Sequence, residues 1–230
     1  MANCEHCLVK ELNSFNSLSK AELSHLHSKK TILHIKRGQP LFVEGTVLNG
    51  IYCLQSGECK VSKLTPNGKD QIVRFIKQGE IVGHKSILSS TSAKLTVTAL
   101  EDMEVCFIPK QELLDLFANN KEFSLSVTKS LCDSLDKANM TVATMAQKNV
   151  RERLAEFLLY FERMFGVDEN GFIAVKLTRE EIANAIGTAT ESSIRLLSEF
   201  KRDGIIKLHG KQIKLLDKAK LIHISDGFYG

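Results

Sequence analysis

Apolar and polar positions along this chain follow two periods. Between residues 31 and 108 the apolar residues fall in short runs, 31–36, 40–43, 50–54, 58–64, 71–77, 95–100 and 104–108. Turn signals separate them: Arg37-Gly38, Glu44-Gly45, Asn49-Gly50, Ser56-Gly57, Asn67-Gly68, Gln78-Gly79 and Gly83. Short β-prone runs punctuated in this way predict an antiparallel barrel or sandwich. After residue 121 the period becomes helical. Val127, Leu131, Leu135, Ala138, Val142 and Met145 recur every three or four positions through a predicted helix over 122–148. That spacing is close to a heptad seam, so the helix either packs on its own sheet or pairs with a second copy. A second helix carries Val150, Leu154, Phe157, Leu158, Phe161 and Phe165 inward, with Lys148-Asn149 as the hinge.

The most informative stretch is 178–204. Thr178 with Glu181 makes a capping box, and Ile182, Ala183 and Ile186 form one apolar face. Gly187 permits a sharp turn, and Thr188 with Glu191 reads as a second capping box. The following helix is expected to turn Ile194, Leu197 and Phe200 inward and Thr190, Glu191, Ser192 and Arg195 outward, ending at Gly204. Two capped helices about a glycine turn predict either a helix-turn-helix or an ordinary helical hairpin. Two short strands, 205–208 and 212–216, joined through His209-Gly210-Lys211, add a wing.

Charge favours the first alternative. Arg195, Lys201, Arg202, Lys207, Lys211, Lys214, Lys218 and Lys220 face only Glu199, Asp203 and Asp217 in that stretch, whereas the whole chain is only +4. Phosphate contacts need such local excess.

The remaining composition is ordinary for a globular protein, with 43% hydrophobic and 25% charged residues in 230. No apolar run is long enough to span a bilayer and no leader pattern is visible, so a cytoplasmic protein without a membrane partner is expected. Six scattered cysteines do not make a disulfide framework. Cys4-Glu5-His6-Cys7 invites comparison with a redox dithiol, but no strand precedes it as thioredoxin-like chemistry requires. No Ser/His/Asp set, phosphate-binding glycine loop or His-Glu-x-x-His appears, so no enzyme is expected. A barrel serving only as a scaffold is disfavoured by the complete helix-turn-helix.

A β-barrel, a long central helix and a winged helix-turn-helix, in that order, resemble the Crp/Fnr family of bacterial transcription regulators. The resemblance rests on R-G-Q-P-L-F-V-E-G-T (37–46), L-Q-S-G-E-C-K-V (54–61), G-E-I-V-G (79–83), K-N-V-R-E-R-L-A-E-F (148–157), L-T-R-E-E-I-A-N-A-I-G (177–187) and E-S-S-I-R-L-L (191–197). It implies an α+β fold in three parts. These are a tail and jelly-roll sensing barrel over 1–120, a dimerisation helix over 121–148 and a winged DNA-binding domain over 149–230. It further implies a homodimer on palindromic double-stranded DNA with T-G-A-containing half-sites, in contact with RNA polymerase. Glu191 and Arg195 share a helix face. There Arg195 can grip guanine O6 and N7 while Glu191 accepts from cytosine N4. Ser192 and Lys201 are expected on phosphates.

For the signal, the resemblance places an effector pocket around Gly79, Glu80, His84 and Lys94. His84 stands where relatives that bind cyclic AMP carry a glutamate, and Ala93-Lys94 replaces their Arg-Ser pair. Lys94 lacks the bidentate fork, so cyclic AMP in the familiar manner is not expected. The oxygen-sensing branch binds an iron–sulfur cluster through cysteines that correspond to Cys4, Cys7 and Cys106. The remaining one corresponds to Asn13, and Glu5 or His6 stands near enough in sequence to substitute. With that set incomplete, the expectation is no cofactor. A cluster, a zinc site, a Cys4–Cys7 thiol switch or haem at His84 are the alternatives. Cys53 and Cys59 read as strand packing residues.

Overall fold

A computed structural model describes residue 11 and residues 13–66 and 68–227. These form two compact units. One contains the described residues up to Leu64 together with Val73–Asp136; the other contains Thr65–Ile72 and the described residues from Lys137 onward.

In the first unit a short 3₁₀ turn, Ser14–Ser17, leads into α1 (Lys20–Lys29). Ser19 caps α1 by accepting from Glu22 N, and Glu22 accepts from Ser19 N in return. The strands are β1 (Thr31–Ile35), β2 (Pro40–Phe42), β3 (Gly50–Ser56), β4 (Cys59–Leu64), β5 (Asp70–Ile76), β6 (Ile81–Val82), β7 (Thr96–Ala99) and β8 (Met103–Pro109). They pair as two four-stranded sheets, β1-β8-β3-β6 and β2-β7-β4-β5. The expected barrel is therefore not closed: it is a jelly-roll-like sandwich whose edge strands β1, β6, β2 and β5 end each sheet. The two-residue β6 carried no periodic signal to predict it.

Alternation along β3 and β8 builds two cores. Leu54, Met103 and Val105 point between the sheets, where Cys59, Val61, Ile76, Val82, Val97 and Ala99 meet them. Ile51, Cys53, Cys106 and Ile108 point the other way, onto Phe15, Leu23, Leu26, Leu113 and Phe123. Gly50 fixes the β3–β8 approach, since a Cβ there would lie 2.3 Å from the Ile108 carbonyl oxygen.

Three helices follow the sandwich strands in chain order: α2 (His84–Leu88), α3 (Lys110–Asn119) and α4 (Lys121–Gln147). The predicted seam on α4 divides along its length. Phe123 and Val127 are buried in the unit's own core with Leu131 packed against it, whereas Leu135 and Val142 are 62% and 68% exposed.

In the second unit Asn149 caps α5 (Val150–Phe165) through a capping box with Glu152. Leu154, Ala155, Leu158 and Phe161 are buried, while Val150, Phe157 and Phe165, also expected inward, are only half-buried. Then come α6 (Arg179–Ile186), α7 (Thr190–Arg202), the antiparallel hairpin β9 (Ile206–His209) and β10 (Gln212–Leu215), and α8 (Lys218–Ser225). Asp217 caps α8, a helix that its mixed charge and short apolar run concealed in sequence. No helix among the described residues is long and apolar enough to cross a membrane.

Candidate nucleic-acid interface and sensor region

The helix-turn-helix assembles locally. Thr178 Oγ1 accepts from Glu181 N at 3.1 Å and Glu181 Oε2 accepts from Thr178 N at 2.8 Å, so α6 begins as predicted. Gly187 closes it at φ +65°, a conformation that a Cβ disfavours. The second predicted capping box does not form. The N-cap of α7 is Ala189, whose methyl cannot accept from the first turn, and no side-chain cap bond forms there among the described residues. Starting the helix at Thr190 buries Ser193, Leu196, Leu197 and Phe200, a strict i, i+3, i+4, i+7 stripe, and leaves Ile194 46% exposed. Ile194 is thus not inward. Ser193, fully buried, holds that place because a small residue there lets the helices pack closely; counting serine as polar hid it.

The outer face of α7 carries Glu191 and Arg195, both exposed, with Thr190 and Ser192 half-buried at the helix start. Among the described residues no ion pair joins Glu191 to Arg195, so neither is neutralised by the other. Lys201 is exposed but stands in the last turn. Ten residues separate it from Glu191, about 15 Å along the axis, so it lies apart from the N-terminal patch.

Three arginines not singled out in the sequence hold this face in position. Arg151, in the first turn of α5, pairs with Glu199 at 3.1 Å and Asp203 at 3.6 Å and lies 4.9 Å over the Phe200 ring. Arg153 donates to the carbonyls of Ile186 at 2.8 Å, Gly187 at 3.3 Å and Lys148 at 2.6 Å. Arg179 donates to Gly210 O in the wing turn at 2.8 Å. The only sequence signal for the first two was the R-x-R spacing beside the hinge. Of the basic run, Lys214 bonds Asn170 O and Lys218 pairs with Glu162, while Arg195, Lys201, Lys207, Lys211 and Lys220 are exposed.

The four expected effector-pocket residues do not share one environment. Gly79 is buried, and its N–H donates to Leu54 O. Glu80 is half-buried and accepts from Lys77 N at 3.2 Å. His84 opens α2 with its Nδ1 buried and unpartnered among the described residues. Burial, then the charges of Lys85 and Arg74, push its imidazole down to about 4, so it is neutral at physiological pH. Lys94, the expected stand-in for a phosphate-binding cation, is exposed. Lys85 and Arg74 are the cations whose charge bears on the His84 imidazole.

Cys4 and Cys7 lie outside the described residues. Cys106 is buried on β8. Cys53, assigned to packing from sequence, stands directly opposite it on β3 in the antiparallel register. Cys59 is fully buried between the sheets, its thiol pushed up to about 12 by burial and then by Glu80, which suits the inert packing role. Among the described residues no three His, Cys, Asp or Glu side chains are grouped to hold a metal.

Comparison with known proteins matches both units. Residues 32–120 fit the cyclic nucleotide-binding domain family and residues 152–224 the Crp-like helix-turn-helix domain family. The fumarate and nitrate reduction regulatory protein of Vibrio cholerae is 29% identical, with 97% of this chain and 90% of that protein covered. The anaerobic regulatory protein of Pasteurella multocida is 29% identical, with 97% of this chain and 82% of that protein covered. A crystal structure of a transcriptional regulator of the Crp/Fnr family from Eubacterium rectale superposes with a TM-score of 0.77 at 20% identity, covering 92% of this chain and 97% of that one. That likeness establishes the fold.

Proposed function

Since the chain belongs to the Crp/Fnr family of transcription regulators, we propose that it reads palindromic DNA as a homodimer, under control of a redox or oxygen signal received at the sandwich. The observation that carries DNA reading is the exposed Glu191–Arg195 pair at the uncapped start of α7, braced from behind by Arg151 and Arg153. Open N–H groups at a helix start attract a backbone phosphate, and a guanidinium on the next turn reaches base edges. Thr190 and Ser192 flank the same end, and the half-site contains T-G-A. The exposed cations of the wing hairpin and Lys201 serve the phosphate backbone, which positions the protein without specifying sequence.

Dimerisation is assigned to α4. Leu135 and Val142, seven positions apart and so on one face of the helix, are each more than 60% exposed, and a second copy would bury that face. The division of labour follows the sequence reading, with sensing in 1–120, pairing in 121–148 and DNA reading in 149–230. RNA polymerase is the protein partner and the cytoplasm the compartment of such a regulator.

For the signal, relatives named as anaerobic regulators and the apposition of Cys53 with Cys106 support thiol chemistry over a cyclic nucleotide. Residues 93 and 94 offer Ala93, buried, and Lys94, exposed, where a buried phosphate would need a guanidinium. The donor set suits an iron–sulfur cluster, with two buried thiols facing each other on strands and a C-x-x-C upstream. Selecting bound sequences from a random pool and repeating the selection with oxygen present tests both halves. The reading requires a two-fold symmetric site, bound with oxygen-dependent affinity.

A further inference from the structure

Among the described residues of α7, only Ile194 is a large apolar side chain left exposed, with 46% of its surface uncovered. Helical spacing sets its neighbours. Thr190 and Ile194, four apart, form one row on the helix surface, and Glu191 and Arg195 form the row beside it. The two rows differ in kind. Glu191 and Arg195 are charged, whereas Thr190 and Ile194 both carry methyl groups. Ser198 comes next in the Ile194 row, and its hydroxyl turns back onto the Ile194 carbonyl at 2.9 Å. It therefore lies low against the helix and does not stand over the isoleucine. A single exposed isoleucine is ordinary on a protein surface. Here its surroundings decide what can cover it. Glu191, Arg195, Ser198 and Lys201 are all exposed and all polar, so Ile194 belongs to no apolar patch that would dock another protein. The same helix face is the one assigned above to a DNA major groove. The apolar surface that such a groove offers is the C5 methyl of thymine.

We propose that Ile194 reads a thymine methyl, so that α7 specifies two neighbouring base pairs by two kinds of contact. Arg195 with Glu191 selects one by hydrogen bonds, and Ile194 selects the other by burial. This rests on the DNA reading given above. Consecutive Cα atoms stand about 3.8 Å apart, close to the rise of about 3.4 Å between base pairs. The thymine therefore belongs to a base pair next to the G·C pair that Arg195 reads. An isoleucine suits the task, because its branched Cβ leaves one strongly preferred χ1 rotamer in a helix and little freedom to lose on contact. The contact rejects cytosine, which has no methyl group at C5, where the hydrogen bonds of Arg195 and Glu191 do not reach. Burial of one methyl group corresponds to about a fourfold gain in affinity.

The test removes the methyl from the DNA. Deoxyuridine pairs as thymidine does but lacks the C5 methyl. The full chain is titrated with duplexes of its selected site in which each thymine position of the half-site is changed singly to uracil. The wild type should lose about fourfold in affinity per half-site at one position and nothing at the others. Ile194→Ala should bind the thymine site more weakly and be indifferent to uracil at that position, while still discriminating the G·C pair assigned to Arg195. Ile194→Val, which keeps the branch, should keep the uracil penalty. Thermal unfolding measured beside the titrations shows that the variants fold. A wild type indifferent to every uracil, or an Ile194→Ala variant penalised as the wild type is, overturns the assignment of Ile194 and leaves the Arg195 reading standing. A wild type that prefers no sequence at all overturns both.

Discussion

Arg153 Nε donates to the carbonyl oxygen of Ile186 at 2.8 Å, at the last turn of α6 before Gly187. Its Nη1 donates to Lys148 O at 2.6 Å and its Nη2 to Gly187 O at 3.3 Å. One planar group thus ties the junction between α4 and α5 to the turn of the helix-turn-helix. Arg153→Lys keeps the charge but loses the fork. With hydrogen bonds to charged groups contributing about 1.5–3 kcal/mol each, it should weaken specific DNA binding about tenfold or more. A DNA titration of the variant, with its unfolding curve alongside, checks this. Unchanged affinity would deny Arg153 a part in positioning the reader.

Gly187 sets the turn between the two helices. At φ +65° a side chain is strained, and an added Cβ would lie 3.2 Å from Met145 Sδ. Gly187→Ala should destabilise the second unit by about 1–2 kcal/mol, measurable by denaturant unfolding.

The exposed apolar positions of α4 predict self-association. Leu135→Asp combined with Val142→Asp should convert a dimer to a monomer in sedimentation experiments, with little loss of folding stability, because neither side chain is buried within one chain. The buried Val127 provides the contrast, since Val127→Asp should unfold the first unit.

Glu58 predicts a pH dependence. Burial, then the hydrogen bond to and the charge of Glu101, raise its carboxyl from 4.5 to about 8. The folded state holds this proton where the unfolded chain has released it. The stabilisation is therefore full below the ordinary pKa and lost as pH rises through about 8. The opposite effect of His84 is confined to pH below its ordinary 6.5. The unfolding midpoint should fall between pH 6.5 and 8 and flatten above, and Glu58→Gln should remove most of that slope.

Much of this architecture could be read from residue patterns. The capping box at Thr178 and the glycine at 187 mark helix ends by local chemistry, although the box expected at Thr188 did not form. Strand runs and their turns were legible for the same reason, apart from the two-residue β6. Ser193 and Ile194 were exchanged, because hydrophobicity alone favours the isoleucine, which stands one position and about 100° round the helix from the buried stripe that Leu197 and Phe200 share with Ser193. The bracing arginines and the apposition of Cys53 with Cys106 could not be read. Their partners lie far along the chain, and only the strand register or the helix packing brings them together.

The most direct test of the account is the DNA preference of Arg195→Ala compared with the wild type across all single-base variants of the selected half-site. The account predicts that discrimination at one G·C pair disappears, at a cost of about 1–3 kcal/mol on the preferred sequence, with the other positions unchanged. An unaltered base preference would contradict it and leave α7 as a phosphate-contacting helix without a reading role.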